Sequence, residues 1–439
     1  MGRRARLPSE PIEADIVDLS HDGRGVARVD GKVTFISGVL PGEKVRFKLT
    51  GRRKDFDSGE VVEVLTASAD RVDAKCPHFG RCGGCALQHL ASDKQIEFKQ
   101  KTLADNFQRI GQIEPEQWLQ PLQGPQWGYR RKARLSVRAV RGKGRVLVGF
   151  REQNPRFVAD IARCEVLVPS VGENIEPLAE LIDGMQARDR IAQIEVAADS
   201  ERTILVLRNL DPLSDSDTER LKAFSEHSGL EIWLQPGGPK TVQPLTEDRG
   251  LLRYQVEDGL DLQFAPLDFV QVNTDINQLM VQRVLEELQL DASTEVLDLF
   301  CGLGNFSLPI AKRSRRVVGI EGEPILVDKA RQNAQANGID NAQFEVADLM
   351  EPVEAPWTRE SFSRVLLDPP RSGAIGILPT VAKMAPQRIV YVSCHPGSLA
   401  RDAGILVNEH GYRLLKAGVM DMFPHTAHVE SLAVFEKPQ

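Results

Sequence analysis

Cys394 is the residue best placed in the sequence to act as a nucleophile. It directly follows the apolar stretch Arg388–Ser393, which predicts a β-strand that delivers the thiol to one edge of a sheet. A thiolate at such an edge can form a covalent intermediate, and a small buried residue is the equally weighted alternative. Three acid-base candidates precede a closing apolar strand near the C-terminus, and each could instead hold a loop: His425, His428 and Glu430.

Four further cysteines form a candidate metal site. Cys76, Cys82 and Cys85 follow the pattern C-x5-C-x2-C within KCPHFGRCGGC, and Cys164 is a distant fourth. Thiolates at this spacing bind either zinc or an iron–sulfur cluster, and the spacing alone does not distinguish the two. The nearby histidines His78 and His89 are alternative ligands.

The C-terminal part of the chain predicts a doubly wound parallel sheet, because apolar strands alternate with helical stretches from about residue 268 onwards. A helix is predicted at 275–289. The strands are predicted at 295–300, 316–320, 343–346, 364–367 and 388–393.

Residues that could bind a nucleotide follow these strands, at the edge where ligands of such sheets bind. The first strand leads into a glycine turn, Cys301–Asn305, and the next ends at Glu321, an acid suited to ribose hydroxyls. Asp348 and Asp368 follow the next two strands. The sequence therefore predicts a ligand that carries a ribose.

S-adenosylmethionine fits this ligand better than a nicotinamide dinucleotide does. The dinucleotide fingerprint G-x-G-x-x-G has Ser307 in place of its third glycine, and a methyl donor has no pyrophosphate to bind. Asp368-Pro-Pro is followed by Arg371 and not by an aromatic residue that would stack on a base, which favours methylation of carbon over methylation of an amine.

The N-terminal part predicts a contact with a polyanion. Residues 1–150 carry 27 Lys and Arg against 18 Asp and Glu, although the whole chain has a net charge of −7. Turn signals over 12–65 predict a small β unit, in which Lys44–Leu49 alternates basic and apolar side chains. The stretch Tyr129–Arg145 holds eight cations and no acid, a composition that favours binding to RNA phosphates.

An amphipathic helix is predicted at 95–110, between these two basic regions, with Gly111 as its end. Its apolar stripe consists of Ile96, Leu103, Phe107 and Ile110.

Composition narrows the class of protein. The 439 residues are 41% hydrophobic and 27% charged, values typical of a globular protein. We find neither an apolar run long enough to cross a bilayer nor the apolar core of a secretion signal, so we expect a cytoplasmic protein without a membrane partner. Six cysteines in this setting indicate metal binding or catalysis and not a disulfide framework.

Together these motifs resemble the RNA uracil-C5 methyltransferases, and most of all the bacterial branch that modifies one uridine of 23S rRNA. The resemblance covers nearly the whole chain and implies a multidomain α/β protein. It implies an OB-like TRAM β-barrel at 1–69, a central α/β iron–sulfur domain at 70–265 and a Rossmann-like S-adenosylmethionine methyltransferase domain at 266–439. The helix near 95–110 is expected to pack on the last of these, and the protein to be a monomer.

The resemblance also implies roles for single residues. YVSCHPGSLARD implies that Cys394 is the nucleophile, and DMFPHTAHVE that Glu430 is the proton acceptor. The cysteine motif implies a 4Fe-4S cluster on Cys76, Cys82, Cys85 and Cys164. The motifs FVQVN and DLFCGLGNFSLP, with the acids at the strand ends, imply these contacts to S-adenosylmethionine: Gln271, Phe300, Asn305, Glu321, Asp348 and Asp368.

Two residues depart from the family pattern, since His395 stands where Asn is usual and Gly397 where Ala is common. We expect an adjusted loop with activity retained. C5 methylation of another rRNA or tRNA uridine is the alternative function. An iron–sulfur oxidoreductase and a catalytically silent RNA-binding protein are the alternatives from other classes.

Overall fold

The computed structural model describes residue 7 and residues 10–438. The chain forms two compact units. Among the described residues, the first comprises those up to 99, 149–161 and 423–428, and the second comprises 100–148, 162–422 and 429–438. No helix in the described part of the chain is both long and apolar enough to span a membrane. The division into three domains stays a prediction.

The first unit is built on a six-stranded sheet that closes into a barrel. The strands at its two edges are the first and the second in the chain, so they follow one another directly in the sequence. The two residues between them close the sheet, because Ile16 N donates to Glu43 O and Val17 N donates to Val26 O, each at 2.9 Å. The strands are β1 (Ile12–Asp15), β2 (Asp18–Leu19), β3 (Gly25–Val29), β4 (Lys32–Ser37), β5 (Lys44–Arg52) and β6 (Phe56–Thr66), in the order β1-β5-β6-β4-β3-β2.

Strand β5 has the predicted alternation of faces. Val45, Phe47 and Leu49 are buried in the barrel core, and the basic residues between them are exposed. Acidic neighbours reduce the positive charge of this exposed face, since Arg46 pairs with Glu13 on β1 and with Glu63 on β6. The basic stripe read from the sequence is therefore partly neutralised, because cross-strand neighbours are set by the sheet order and not by the local pattern.

Helix α1 (Ser92–Asn106) begins near the predicted start and continues into a π-helical turn, Phe107–Gly111. Phe107 is buried as predicted, whereas the prediction for Ile110 is wrong, because its side chain is 51% exposed. A π turn has wider hydrogen bonding than an α-helix and so rotates Ile110 off the 3.6-residue stripe. Gly111 ends the turn in close contact with Ala400, whose carbonyl oxygen would lie 2.6 Å from an added Cβ.

A mixed sheet occupies the middle of the second unit, in the order β13-β12-β11-β10-β8-β9. It forms the α/β region for which the sequence pattern left the strands unplaced. A hairpin, β14 and β15, follows it. After β7 (Gln117–Trp118), the elements are β8 (Lys132–Val140), β9 (Arg145–Gly149), α2 (Pro169–Gly172), α3 (Ile175–Asp183), β10 (Ile191–Ala198), β11 (Thr203–Asn209), α4 (Asp215–Ser228), β12 (Glu231–Leu234), β13 (Gln243–Pro244), β14 (Leu252–Glu257) and β15 (Leu260–Phe264).

The C-terminal part of the second unit is an eight-stranded sheet with helices between its strands, in the order β18-β17-β16-β19-β20-β22-β21-β7. The five predicted strands are all present and parallel. The elements are α5 (Thr274–Leu288), β16 (Glu295–Leu299), α6 (Ser307–Ala311), β17 (Arg316–Glu321), α7 (Pro324–Ala336), β18 (Ala342–Val346), β19 (Arg364–Leu367), α8 (Leu378–Met384), β20 (Arg388–Ser393), α9 (Pro396–Asn408), β21 (Arg413–Met420) and β22 (Glu430–Glu436).

The order of this sheet reverses between β16 and β19, which are neighbours in space although two strands separate them in the chain. At such a switch point the connections leave in opposite directions and open a crevice at the carboxyl ends of the strands. The two central strands are buried throughout their apolar positions, so the crevice has a rigid floor.

Candidate active site at the carboxyl edge of the parallel sheet

Cys394 and Glu430 meet at this edge of the sheet. Ser393, the last residue of β20, pairs with Ser431 of the antiparallel strand β22. Cys394 follows the first of these residues and Glu430 precedes the second, so the two side chains belong to adjacent strand ends. The carboxyl of Glu430 is close enough to act on the charge of the Cys394 thiol, and Glu430 is 4% exposed.

Negative charge around Cys394 disfavours its thiolate. Burial of the thiol and the charges of Glu430 and Asp368 raise the pKa of Cys394 to about 11, against the opposing effect of Arg371. Because only the thiolate is an effective nucleophile, the unliganded site holds the cysteine mainly in its unreactive form.

The rate at which iodoacetamide alkylates Cys394 is therefore expected to rise with pH. A pKa of about 11 leaves a small thiolate fraction at neutral pH, and this fraction grows about tenfold per pH unit below the pKa. Mass spectrometry of the peptide that contains Cys394 measures the rate. A plateau below pH 9 would contradict the burial and charges described here.

His395 fixes the loop that follows the nucleophile. Its Nδ1 accepts a hydrogen bond from Ser398 N at 3.1 Å, so it caps the N-terminus of α9 as an asparagine would. A Cβ on Gly397 would lie 3.1 Å from the imidazole ring of His395. The two departures from the family pattern are therefore linked, since the glycine leaves room for the larger cap.

The other acid-base candidates hold a loop in the first unit. His425 has a positive φ of 66°, and its carbonyl oxygen accepts hydrogen bonds from Ala86 N and Leu87 N at 2.9 Å. Its backbone N donates to Gln95 Oε1 at 2.9 Å. The ring of His428 packs on Phe423. Both histidines thus have a structural role in the described contacts.

The glycine turn after β16 is held by Glu321. The Glu321 carboxylate accepts hydrogen bonds from Gly302 N at 3.1 Å and from Gly322 N at 2.8 Å. Phe300 has a φ of 67°, which is uncommon for a residue other than glycine and typical of functional sites. Gly302 has a φ of 54° and opens the turn. These contacts place the turn and the acid together, as the sequence predicted.

Asn305 is held by two residues that the sequence analysis did not identify. Its amide exchanges two hydrogen bonds with Asn277 of α5, at 2.9 and 3.0 Å, and Tyr254 Oη donates to Asn305 Oδ1 at 3.1 Å. Burial raises the pKa of Tyr254, so the phenol stays a donor. Both partners are distant from Asn305 in the sequence, and a hydrogen bond between two distant side chains produces no motif in the local sequence.

Two further carboxyls, the buried Asp298 and the half-buried Asp368, lie beside Glu321. Burial, together with the charge of Glu321, raises the pKa of Asp298 and of Asp368 to about 7. Asp298 is fully buried, Ser307 Oγ donates to one of its oxygens, and the other oxygen has no partner among the described residues. Asp298 lies within β16 and not after its end, so it is absent from the site residues that the strand ends predict. A cationic ligand would relieve the repulsion among these carboxyls.

The remaining two predicted cofactor residues lie on loops near this edge. Asp348 is exposed two residues after β18, and its carboxylate accepts from Met350 N at 2.9 Å. Gln271 lies on the loop between β15 and α5, which is fastened by a hydrogen bond from the Lys132 side chain to Pro266 O. No described contact joins either side chain to Glu321.

The basic stretch 129–145 is less exposed than its composition suggests. Lys132 is half-buried, and its partial loss of hydration lowers the pKa of its ammonium to about 8. Arg131 donates to Asp199 O at 2.7 Å, and Arg134 forms an ion pair with Glu195. Arg138 and Lys143 are exposed. Some of these basic side chains therefore form hydrogen bonds and ion pairs within the second unit.

The four candidate cluster cysteines are half-buried. Cys76 begins a turn in which its carbonyl oxygen accepts a hydrogen bond from Phe79 N at 3.1 Å. The Sγ atom of Cys82 accepts a hydrogen bond from Gly84 N at 3.4 Å. Within residues 10–438 no group of three or more histidine, cysteine, aspartate or glutamate side chains is arranged to hold a metal ion. The geometry thus gives no support to the predicted cluster.

Comparison with known proteins supplies the family. The family model described as tRNA (uracil-5-)-methyltransferase matches residues 93–438, and the TRAM domain model matches residues 7–64. The chain belongs to the RNA uracil-C5 methyltransferase family. The methyltransferase fold and the N-terminal TRAM domain are thereby confirmed.

Curated members of this methyltransferase family resemble the chain over its full length. A protein of Stenotrophomonas maltophilia K279a and one of Xanthomonas axonopodis pv. citri 306 are each 53% identical to it over 439 residues, with 99% of both chains covered. Both are named 23S rRNA (uracil(1939)-C(5))-methyltransferase RlmD. The crystal structure of the Pyrococcus abyssi tRNA (uracil-54, C5)-methyltransferase with S-adenosyl-L-homocysteine has a TM-score of 0.74 at 25% identity, and covers 97% of this chain and 100% of the other.

Proposed function

We propose that the chain transfers a methyl group from S-adenosylmethionine to C5 of one uridine in 23S rRNA, the uridine-1939 type named in its relatives. The observation that carries this proposal is the pairing of β20 with β22, which brings a candidate nucleophile and a candidate base to one sheet edge beside the carboxyl of Asp368. We further propose that the protein acts in the cytoplasm as a monomer and binds RNA through its TRAM domain.

The reaction needs a nucleophile because uracil C5 is a poor nucleophile by itself. The thiolate of Cys394 adds to C6, which makes C5 an enolate carbon able to attack. S-adenosylmethionine supplies the electrophilic methyl group and becomes S-adenosylhomocysteine when this group is transferred. The Glu430 carboxylate then takes the C5 proton, the C6–sulfur bond breaks, and the electron pair of that bond restores the thiolate.

Six residues are proposed to hold the methyl donor: Gln271, Phe300, Asn305, Glu321, Asp348 and Asp368. The residues present suit this ligand, since the carboxyls that repel one another would face a sulfonium cation and a ribose. Glu321, which ends β17, would accept hydrogen bonds from the ribose hydroxyls.

The Glu321→Ala variant is expected to bind S-adenosylmethionine roughly 10- to 100-fold more weakly, because a charged hydrogen-bond acceptor is lost. Isothermal titration calorimetry measures the affinity. The matched control is Glu323→Ala, which removes an exposed carboxylate two residues away. Equal affinity in the Glu321→Ala variant and the wild type would contradict this role.

We also propose a 4Fe-4S cluster on Cys76, Cys82, Cys85 and Cys164. The resemblance of the cysteine motif to that of the family supports this proposal, whereas the spacing by itself fits zinc equally well. Four thiolates would leave no open position on the cluster, so its role would be structural. Iron and sulfide content after anaerobic purification tests it, with Cys82→Ser expected to lose both. Cys301→Ala, which changes a cysteine outside the set, is the control. Iron-free wild-type protein, or equal iron in both variants, would exclude the cluster.

Mass mapping of RNA after incubation with labelled S-adenosylmethionine tests the proposed substrate. The expected result is one methylated uridine in 23S rRNA and none in tRNA. Methylation of a tRNA uridine would favour the alternative substrate within this family, for which the P. abyssi enzyme is the structural precedent. Absence of any label would overturn the proposal.

A further inference from the structure

Asp402 is a fully buried carboxylate that has no part in the reaction described above. It lies on α9, the helix that begins directly after the nucleophile loop. Its Oδ2 accepts hydrogen bonds from Tyr391 Oη and from Ala374 N, both at 2.7 Å. Its Oδ1 accepts from Arg401 Nε at 2.8 Å and lies 2.6 Å from Arg401 Nη2. Each of these partners is a hydrogen-bond donor, so the buried charge of Asp402 is well compensated.

These partners come from the three segments that surround Cys394. Tyr391 lies on β20, three residues before the thiol. Arg401 lies on α9, and its Nη2 also donates to Ser372 O at 2.8 Å. Ala374 and Ser372 belong to the loop 368–374, which follows β19 and carries Asp368 and Arg371. A single carboxylate therefore joins this loop to the strand and to the helix on either side of the nucleophile.

The fit between the loop and Asp402 is tight. Gly373 has a φ of 83°, and an added Cβ would lie 2.5 Å from both Asp402 Oδ2 and Arg401 Nη2. Gly373 N donates to Pro370 O at 2.8 Å, which forms a turn next to Arg371. The backbone of the loop thus has little freedom to move where it meets the carboxylate.

Arg371 is the group in this loop that favours the ionised nucleophile. Its charge lowers the pKa of the Cys394 thiol, in opposition to burial, Glu430 and Asp368. Arg371 belongs to the loop 368–374, so the backbone of this loop sets the point from which its side chain extends. Coulomb energy falls with distance, so a loop that moved away would reduce the effect on the thiol.

We propose that Asp402 is a positioning residue that holds the loop 368–374 so that Arg371 stays beside Cys394. The inference rests on the proposed role of Cys394 as nucleophile. The same contact would hold Asp368 in place for the methyl donor. Asp402 itself touches neither substrate nor reacting atoms.

Alkylation of Cys394 by iodoacetamide across pH tests the proposal without requiring methylation. Asp402→Asn keeps the size of the side chain but removes its charge. We expect it to slow alkylation at pH 8 by a factor of about three to ten, which corresponds to a higher pKa of Cys394. Arg371→Gln is expected to slow it equally, and the double variant no further, because both changes remove one interaction.

Tyr412→Phe is the control for general loss of stability, since it removes a buried hydrogen bond to Pro386 O at 3.0 Å that is remote in sequence from the loop. It should leave the pH profile unchanged. If Asp402→Asn does not fold, Gly373→Ala displaces the loop from the other side of the contact and should give the same shift.

An unchanged profile in Asp402→Asn or in Arg371→Gln, or additive slowing in the double variant, would overturn the proposal. Absence of methylation by the wild-type protein, together with the expected shift of the alkylation profile in Asp402→Asn, would instead count against the proposed function, so the two failures are distinguishable.

Discussion

Replacing Cys394 by alanine is expected to lower the rate of methyl transfer by at least about 10⁴-fold, as for loss of other covalent nucleophiles. Without addition at C6 the uracil C5 carbon remains too poor a nucleophile to attack the methyl group. The thiol lies next to Glu430 at the end of β20, and its side chain is only half-buried. We therefore expect the variant to fold and to bind S-adenosylmethionine with the affinity of the wild type.

Incorporation of labelled methyl groups into 23S rRNA measures the rate, and calorimetry with the methyl donor supplies the control. Cys394→Ser is the more demanding variant because it keeps an oxygen at nearly the same place. An alkoxide is much harder to form than a thiolate, so this variant should also be inactive. Transfer of the labelled methyl group to uracil C5 by either variant would exclude covalent catalysis by Cys394.

The positions of the parallel strands could be predicted from the sequence because each is a short apolar run bounded by turn residues. Parallel strands end at the same edge of a sheet, and so Glu321, Asp368 and Cys394 could be grouped from the sequence; the reversal of strand order opens the crevice at that edge. The register Ser393–Ser431 brings Glu430 to the same edge. Spacing alone did not select it over the two histidines, and the family resemblance did.

Contacts between distant segments could not be predicted in this way. Asn277 and Tyr254 hold Asn305, but neither has a motif. The ion pairs of Arg46 and Arg134 depend on which strands become neighbours. The local sequence shows that these regions are basic. Which of their basic side chains form ion pairs within the protein is decided by the tertiary fold.

The Glu430→Gln variant is expected to accumulate a covalent complex between protein and RNA. An amide at this position cannot take the C5 proton, so the methylated adduct cannot eliminate Cys394. Turnover should fall by roughly 10²- to 10⁴-fold, whereas the first methyl transfer should still occur. The adduct would migrate as a slow band on a denaturing gel, would carry the labelled methyl group, and would be absent when Cys394 is also replaced.

A matched glutamate on the same strand separates this effect from a general disturbance of β22. Glu436 lies at the far end of the strand and pairs with Arg388, so Glu436→Gln removes a carboxylate without touching the reaction edge. It should turn over without a trapped complex.

The negative charge of Glu430 also raises the pKa of Cys394. Its removal should therefore make the thiol more reactive, and adduct formation should be at least as fast as in the wild type. Normal turnover in Glu430→Gln would assign the proton to another base. Slow methyl transfer with no accumulation of the methylated adduct would show that Glu430 acts before methyl transfer and not after it.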